Sequence, residues 1–239
     1  MGARSNGGGY APCLTARSTR SRRTHARTGQ SVSRPLFARV LLPRFTAAAM
    51  AHGQGAHRQR LLSALSGRVL EVGAGAGLNF AYYPPSVTEV AAVEPEVHLR
   101  AQAVQKAATA PVPIRVVAGS ADHLPLEDAS VDAAVASLVL CSVPDQRRAL
   151  AELFRVVRPG GELRFYEHVR APTPALVVAQ RAIEPLWSRL GGGCHLTRQT
   201  EAAIRETGFV IERIERFEFA PSLLDRLAAS HILGSARRP

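Results

Sequence analysis

Short apolar runs alternate along the chain with segments in which apolar residues recur at helical spacing. Strand-like runs are predicted at residues 69–72, 87–93, 114–118, 131–140 and 162–169, and again at 209–219 and 231–237. Helices are predicted at residues 96–108, around Leu150 and Leu153, and at 175–190. Because strands and helices alternate and the strands are apolar on both faces, the pattern predicts a doubly wound, parallel α/β sheet.

Turn and capping residues predict where several helices begin and end. Asp145 is the predicted N-cap of the helix that carries Leu150, and Arg158-Pro-Gly-Gly is its predicted stop signal. Thr197 is the predicted N-cap of a helix that ends at Gly208. Ahead of the first strand, apolar residues at helical spacing in 36–41 and 57–65 predict two more helices.

A glycine-rich turn follows the first predicted strand. The stretch from Arg68 to Gly77 reads RVLEVGAGAG, and a helical pattern opens at Leu78. Glycines suit a turn whose backbone approaches a ligand closely, and a helix N-terminus behind it offers free N–H groups. A generic strand-to-helix turn without a ligand is the alternative interpretation.

Two details of this turn indicate which of two nucleotide-type ligands it suits, a dinucleotide or a nucleoside that carries an amino-acid moiety. The dinucleotide fingerprint is G-x-G-x-x-G, and Leu78 stands where its third glycine would be. Glu71 lies two residues before the first glycine, where a carboxylate repels a pyrophosphate but attracts the ammonium of an amino-acid moiety. The pattern therefore disfavours an NAD-dependent oxidoreductase.

Polar residues also follow the next two predicted strands. Glu94 and Pro95 close the second strand, where a carboxylate can accept hydrogen bonds from both hydroxyls of a ribose. Ser120, Ala121 and Asp122 follow the third strand and can read an adenine edge. A turn cap is the alternative role of Asp122.

The formal net charge of +11 is unevenly distributed. Residues 1–68 contain twelve Arg and no acidic residue, which leaves 18 basic side chains against all 19 acidic ones in the rest. A nucleic-acid partner is therefore not expected. Residues 1–33, rich in Gly, Ser, Thr and Arg, are predicted to be a disordered tail. The alternative interpretations of this tail are a solvated segment, a start-site artefact, a targeting sequence, and a segment that binds anionic membrane surfaces weakly.

Membrane and cysteine patterns narrow the class of protein further. No apolar run reaches the ~18 residues of a membrane-spanning helix, and no signal-peptide pattern opens the chain. We therefore expect a soluble, cytoplasmic protein. Cys13, Cys141 and Cys194 are widely spaced, so neither a disulfide framework nor a metal site is predicted. Cys194-His195 is an adjacent pair with no further cluster in sequence, which makes it a poor candidate for metal.

Several motifs together resemble a known family. In order they read VLEVGAGAG, VEP, GSADHLPL, LVLCSVPD, FRVVRPGG, FYEHV and GGGCHLTR. This series is similar to the class I S-adenosylmethionine-dependent methyltransferases, and among them to the methyltransferase-like thiol methyltransferases, from about Pro35 to the C-terminus. The resemblance implies one domain, residues 34–239, with a Rossmann-like, seven-stranded, mostly parallel sheet and an antiparallel C-terminal hairpin. The two N-terminal helices would cover the cofactor and acceptor, or simply pack on the sheet.

The resemblance also implies which residues hold the cofactor, S-adenosyl-L-methionine. Glu71 and the glycine turn would surround its methionine part, Glu94 its ribose, and Asp122 its adenine. Residues 138–141 would form the floor beneath the sulfonium. Ser120 departs from the Asp that many family members have there. The full predicted set is Glu71, Gly73, Ala74, Gly75, Gly77, Asn79, Glu94, Pro95, Ser120, Ala121, Asp122, Leu138 and Cys141.

A sulfonium methyl group is already activated, so its transfer depends on alignment and exclusion of water more than on a catalytic side chain. The residues that can assist are Cys141, Glu167, His168 and His195, which follow predicted strand ends or lie in the GGGCHLTR motif. The alternatives are that Cys141 is a small buried residue and that His168 is a structural hydrogen-bonding residue.

The predicted function is methyl transfer to a small, fairly apolar acceptor, with a thiol as the first choice. A lipid, a quinone or a natural product with an oxygen, nitrogen or carbon acceptor is the alternative. A protein that binds S-adenosylmethionine without transferring methyl groups is a further one. The sequence leaves the oligomeric state open.

Overall fold

The computed structural model describes residues 42–221 and 223–239, which form a seven-stranded sheet in the order β3-β2-β1-β4-β5-β7-β6. The strands are β1 (Gly67–Val72), β2 (Val87–Val93), β3 (Ile114–Val117), β4 (Val131–Ser137), β5 (Val157–His168), β6 (Val210–Glu218) and β7 (Ser230–Arg237). Strands β1 to β5 are parallel, whereas β7 lies antiparallel between β5 and β6. The predicted fold class, with its C-terminal hairpin, is confirmed.

Helices flank this sheet. In the described residues they are α1 (Leu42–Ala51), α2 (Gln54–Leu62), α3 (Val97–Ala107), α4 (Gln146–Val156), α5 (Pro174–Leu190) and α6 (Thr200–Glu206), with short 3₁₀ helices at Phe80–Tyr82 and Leu223–Ala228. None of these helices combines the length and the apolar character needed to cross a lipid bilayer. The tail predicted at residues 1–33 and the helix predicted at 36–41 lie outside the described residues.

The two faces of the sheet bury separate apolar clusters, because successive side chains of a strand point to opposite faces. In β1, Val69 belongs to one cluster and Leu70 to the other. Fully buried Leu61 of α2 lies in the first cluster, and fully buried Leu153 of α4 lies in the second. Both faces are therefore covered, which explains why β1 has apolar residues on both of its faces.

The prediction that a helix begins at Leu78 is wrong. Only the 3₁₀ helix Phe80–Tyr82 follows the glycine turn. Pro84 and Pro85 leave room for less than two turns of helix after Gly77. Helix nucleation is unfavourable, and so short a segment forms too few hydrogen bonds to offset it. The segment instead turns Asn79 inward, where its side chain is buried.

Two predicted ends around α4 and β4 also differ from the structure. Helix α4 ends before Arg158-Pro-Gly-Gly, and those residues open β5 with an irregular register against β4. Strand β4 ends at Ser137 instead of residue 140, because Leu138 takes a positive φ of 58° that breaks the extended backbone.

The predicted N-cap at Thr197 is wrong. Helix α6 begins at Thr200, after Gln199. The N–H and hydroxyl of Thr197 both donate to the carboxylate of Glu184 on α5, at 2.9 Å and 2.8 Å. The Thr197 hydroxyl, which the sequence pattern assigned to helix capping, is therefore hydrogen-bonded to Glu184, a residue of another helix.

The order of the strands reverses direction at β1, since β2 and β3 lie on one side of it and β4 and β5 on the other. In open α/β sheets, ligands bind beside such a reversal at the carboxyl ends of the strands. The glycine turn after β1, Glu94 after β2, residues 138–141 after β4 and His168 at the end of β5 all lie at this edge. The fold therefore brings the predicted site residues to one side of the molecule.

Asp145 provides a test of helix capping at α4. Its carboxylate accepts a hydrogen bond of 3.0 Å from the N–H of Arg148, one of the otherwise unpaired donors of the first turn. We expect Asp145→Ala to lower the free energy of unfolding by about 1 kcal/mol, as measured by urea denaturation. Asp145→Asn keeps a capping oxygen and should match the native protein. Equal losses in the two variants would contradict the capping role.

Candidate cofactor and acceptor site

The glycine turn leaves open space beside one of its residues. Gly75 has a φ of 56°, and a Cβ built on it would meet no heavy atom within 4 Å. Gly77 also has a positive φ, but a Cβ there would lie 2.7 Å from the ring of Phe80. Packing against Phe80 therefore explains why residue 77 is a glycine. At Gly75 no protein atom fills the space, so a ligand can approach the backbone there.

Glu94 is joined directly to this turn. Its carboxylate accepts hydrogen bonds of 2.8 Å from the N–H of Gly75 and 2.8 Å from the N–H of Glu96. Burial raises the pKa of Glu94, and these two donors oppose that shift. Each oxygen keeps a further lone pair, so the predicted contact with ribose hydroxyls stays compatible with this geometry.

Glu71 lies deeper, at 2% exposure, beneath the turn. Its two oxygens accept hydrogen bonds from Asn79 Nδ2 at 2.9 Å and from the Tyr83 hydroxyl at 2.6 Å. Burial raises the pKa of Glu71 to about 7, and the two hydrogen bonds oppose that shift. The structure thus engages Glu71 with the protein's own donors, and its predicted contact with an ammonium group stays a prediction.

Arg58 on α2 joins the same network, although sequence reasoning did not select it. Its Nη1 donates to Asn79 Oδ1 at 2.7 Å and to Ser137 Oγ at 3.3 Å, and its Nη2 donates to Gln54 Oε1 at 3.2 Å. The Nε is buried and has no hydrogen-bond partner in the part of the chain that the structure describes. Position was the available signal, because Arg58 lies three residues before Leu61 on the apolar face of its helix.

The remaining predicted cofactor residues lie around the turn and the loop after β3. Ala74 is buried, and its N–H donates to the Val93 carbonyl at 3.1 Å. Pro95 is exposed beyond the end of β2. Ser120 forms an isolated bridge with His123, which bends the loop so that Ala121 is buried and Asp122 is partly exposed.

Glu167 holds the loop that follows β4. Its carboxylate has no solvent exposure and accepts N–H groups from Val139, Leu140 and Cys141 at 3.0, 2.9 and 3.0 Å. Burial raises the pKa of Glu167, and these donors oppose that shift. The loop passes close to the glycine turn, since a Cβ on Gly73 would lie 2.3 Å from the Val139 side chain. Glu167 therefore positions this loop and does not face solvent as an exposed base would.

The other candidate catalytic residues divide into two environments. His195 is half exposed, and its Nδ1 lies 3.2 Å from Glu184 Oε1. Cys141 and His168 instead lie together with Cys194, each sulfur 3.7 Å from His168 Nδ1. A hydrogen bond with Cys194 and burial both raise the pKa of Cys141, so this thiol is not an activated nucleophile. The sequence analysis considered Cys194 only with its neighbour His195 and missed its contact with His168, because Cys194 lies 26 positions from His168 and 53 from Cys141.

An aromatic row lies beside His168. His168, His231 and Phe217 occupy facing positions on β5, β7 and β6. The ring centroids are 4.3 Å apart for His168 and His231 and 5.6 Å apart for His231 and Phe217. His57 from α2 packs on the row, 4.6 Å from Phe217. Burial is the main cause that lowers the pKa of His231, to about 2, so that this ring is neutral.

Comparison with known proteins identifies the family. Residues 70–165 match a family model described as a methyltransferase domain. The thiol S-methyltransferase TMT1B of Homo sapiens is 38% identical over 181 residues, which make up 73% of this chain and 73% of that protein. The chain belongs to the S-adenosylmethionine-dependent methyltransferases. The family resemblance of the motifs and the predicted enzyme class are thereby confirmed.

Solved structures share the fold of this methyltransferase at lower identity. An S-adenosylmethionine-dependent methyltransferase of Thermotoga maritima has a TM-score of 0.63 and 20% identity, over 85% of this chain and 98% of that one. The [4+2]-cyclase SpnF has a TM-score of 0.62 and 21% identity, over 78% and 80% of the two chains. These likenesses show the fold alone, and the name of SpnF indicates that this fold also carries other reactions.

The residues at the edge of the sheet fit the cofactor that the family implies. The space beside Gly75 holds no protein atom within 4 Å of a Cβ built there, so a ligand can reach the backbone of the turn. The unpaired, buried Nε of Arg58 is a cationic donor that suits a carboxylate such as that of a methionine moiety.

A polar cleft at the opposite edge of the sheet is a weaker candidate for the ligand site. It is lined by Asp132, Arg158, Glu162, Arg164, Glu212 and Arg237, among others. These side chains pair with one another, as in the contact of 2.6 Å between Arg158 Nε and Asp132 Oδ1. Their charges are therefore largely satisfied within the protein.

The two glycines of the turn allow a matched test. We expect Gly75→Ala to weaken binding of S-adenosylmethionine at least about tenfold, or ~1.4 kcal/mol, because its Cβ would occupy the space that the ligand needs. Isothermal titration calorimetry measures this change. Gly77→Ala should lower the free energy of unfolding more than Gly75→Ala, because its Cβ meets Phe80. Native affinity in Gly75→Ala would remove that residue from the cofactor site.

The raised pKa of Glu71 predicts a pH-dependent stability. The folded protein holds this proton up to about pH 7, whereas an unfolded carboxyl loses it near its ordinary value of 4.5. The contribution of Glu71 to the free energy of unfolding therefore falls as the pH rises from about 4.5 to about 7. Glu71→Gln should gain stability relative to the native protein across this range and keep a constant difference above it. Urea denaturation at a series of pH values measures both proteins, and parallel curves would contradict the shift.

Proposed function

We propose that this methyltransferase transfers a methyl group to the sulfur of a small, fairly apolar thiol. The observation that carries the proposal is the aromatic row of His168, His231 and Phe217, which lies at the same edge of the sheet as the glycine turn. An acceptor that packed against this row would be apolar rather than charged. The similarity to a relative named thiol S-methyltransferase supports sulfur as the acceptor atom.

The chain's own residues bind, orient and shield the reactants in this proposal. When bound, S-adenosylmethionine supplies a methyl group already activated by its sulfonium. The Gly75 backbone, Glu94 and Asp122 would hold its nucleoside part, and the network of Arg58 and Asn79 its amino-acid part. Alignment and exclusion of water contribute roughly 7–11 kcal/mol in well-oriented reactions, so no general base is required by this scheme.

The loop after β4 would form the floor of the acceptor side. Glu167 fixes its backbone through three N–H groups, and Val139 packs against Gly73 of the cofactor turn. A displacement of this loop would therefore change the cofactor side and the acceptor side together.

A lipid or quinone acceptor is the second candidate. The aromatic row and exposed apolar residues on α5, such as Val178 at 65% and Leu186 at 62% exposure, favour it. A cofactor-binding protein without transferase activity is disfavoured by the family assignment. The cytoplasmic location, the absence of a nucleic-acid partner and the tail at residues 1–33 stay predictions.

A panel of acceptors tests this function. The native enzyme is incubated with S-adenosylmethionine labelled in its methyl group and, separately, with thiophenol, phenol, aniline or a benzoquinol. We expect the labelled methyl thioether to be the main product, at a rate well above the reaction without enzyme. A dominant ether, methylamine or ring-methylated product would overturn the choice of sulfur.

A variant just after β2 tests the cofactor side of this proposal, and a variant on β2 is its control. Glu94→Ala should weaken cofactor binding by about 1.5–3 kcal/mol, because it removes hydrogen bonds to a charged group. Glu89→Ala, on the exposed side of the same strand, loses only a surface pair with Arg68 and should transfer methyl groups at the native rate. Calorimetry with NAD should show no binding.

A further inference from the structure

Three soft-metal ligands from separate parts of the chain converge at the acceptor edge. Cys141 lies in the loop after β4, His168 ends β5, and Cys194 lies in the loop after α5. The two Sγ atoms are each 3.7 Å from His168 Nδ1, and all three atoms lie within 4.8 Å of one another. Both cysteines are buried, whereas His168 is partly exposed.

These separations match the edges of a tetrahedral metal site. Zinc binds thiolate sulfur at about 2.3 Å and imidazole nitrogen at about 2.0–2.1 Å, so tetrahedral angles place S and N ligands ~3.6 Å apart and two S ligands ~3.8 Å apart. The observed 3.7 Å between Nδ1 and each sulfur agrees with this value. Two thiolates and one imidazole form a donor set that zinc prefers.

The backbone around the cluster is held in place independently of a metal. Glu167 accepts the N–H of Cys141 at 3.0 Å, and the N–H of His195 donates to the Cys141 carbonyl at 2.8 Å. The second of these bonds ties the loop of Cys194 to the loop of Cys141. A site whose ligands are fixed in this way loses little conformational entropy when it binds an ion.

A cation near the cluster suits thiolate ligands, although the Glu167 carboxylate, also within electrostatic range of Cys141, opposes it in part. Arg198 donates to the carbonyls of Leu140 and Val143, next to Cys141, and lies within electrostatic range of both cysteines. A fixed guanidinium offsets part of the negative charge of two thiolates. The apolar neighbours Leu196 and Ala228 exclude water from the sulfurs.

We infer that Cys141, His168 and Cys194 form a zinc site whose fourth position is open and receives the sulfur of the acceptor thiol. Three protein ligands with one open position are typical of catalytic zinc, whereas structural zinc has four protein ligands. In the described part of the chain the group holds three ligands. The role of the fourth position rests on the proposed thiol acceptor, but the binding of the metal does not.

Coordination would activate the acceptor without any redox change. The S–H bond of the thiol breaks, its electron pair stays on sulfur and forms the bond to zinc, and the proton leaves to a buffer base. A free thiol has a pKa of about 8.5 and is mostly protonated at neutral pH, whereas a thiol bound to zinc is deprotonated. The site would thus present a thiolate beside the loop that packs on the cofactor turn.

Metal binding is measured on the full chain with Zn²⁺ and with Co²⁺ as a spectroscopic probe, in a phosphine reductant that keeps thiols reduced. We expect about one ion per chain, and a Co²⁺ spectrum with sulfur-to-metal charge transfer and intense d–d bands of a tetrahedral site. Absence of a stoichiometric, chelator-sensitive ion would overturn the proposal. So would a Cys141–Cys194 disulfide that persists in reductant and is detected by mass spectrometry.

Single substitutions locate the site. Cys141→Ser, Cys194→Ser and His168→Ala should each weaken metal binding by more than the roughly 10-fold to 100-fold that loss of an outer-shell partner causes. Cys13→Ser and His195→Gln are matched controls and should bind the ion as the native chain does. Circular dichroism and calorimetry with S-adenosylmethionine check that each variant folds. Should a variant not fold, the Co²⁺ spectrum of the native chain still decides the donor set.

Addition of thiophenol tests the open position. We expect it to shift the d–d bands of the Co²⁺ protein, and removal of the metal to lower thiol methylation at least tenfold. An unchanged spectrum with full activity of the metal-free enzyme would overturn the acceptor role and leave the proposed function standing. A metal-loaded enzyme that methylates no thiol would instead overturn the proposed function and leave the metal site standing.

Discussion

Burial of carboxylates at the carboxyl edge of the sheet is the constraint on which this site depends. Glu71, Glu94 and Glu167 are all nearly inaccessible to water. A buried carboxylate without hydrogen-bond donors is strongly unfavourable, so each must be supplied with them. Two side chains after the glycine turn serve Glu71, two backbone N–H groups serve Glu94, and three serve Glu167. Side chains in β1 and β5 and directly after β2 thereby fix the irregular loops at this edge.

This arrangement joins the proposed cofactor side to the proposed acceptor side. The loop held by Glu167 contacts the glycine turn through Val139 and carries Cys141 into contact with His168. The same loop is bonded to the chain after α5 through the N–H of His195. A rigid frame of this kind suits methyl transfer, where most of the rate enhancement comes from alignment of the reactants.

Much of the fold could be predicted because its signals are local. Strand β2 was predicted with the observed bounds, since its apolar run ends at the turn signals on either side. The prediction of a helix after the glycine turn was wrong because Pro84 and Pro85 leave the pattern that opens at Leu78 too little length. The N-cap at Thr197 was wrong because Glu184, distant in sequence, offers a better acceptor. Local rules fail where a tertiary partner competes for the same group.

The sequence by itself determined the order of strands and helices, the glycine turn and the family, because each element and each motif is a short stretch of neighbouring residues. Only the tertiary structure decided that Arg58 joins the network of Asn79, and that Cys194 lies beside His168. Those contacts arise from the packing of α2 and of the loop after α5 on the sheet. The spacing of residues along the chain does not predict such packing. The apolar pattern allows many ways to pack helices and loops on the sheet, and only the folded arrangement buries all of the apolar surfaces together.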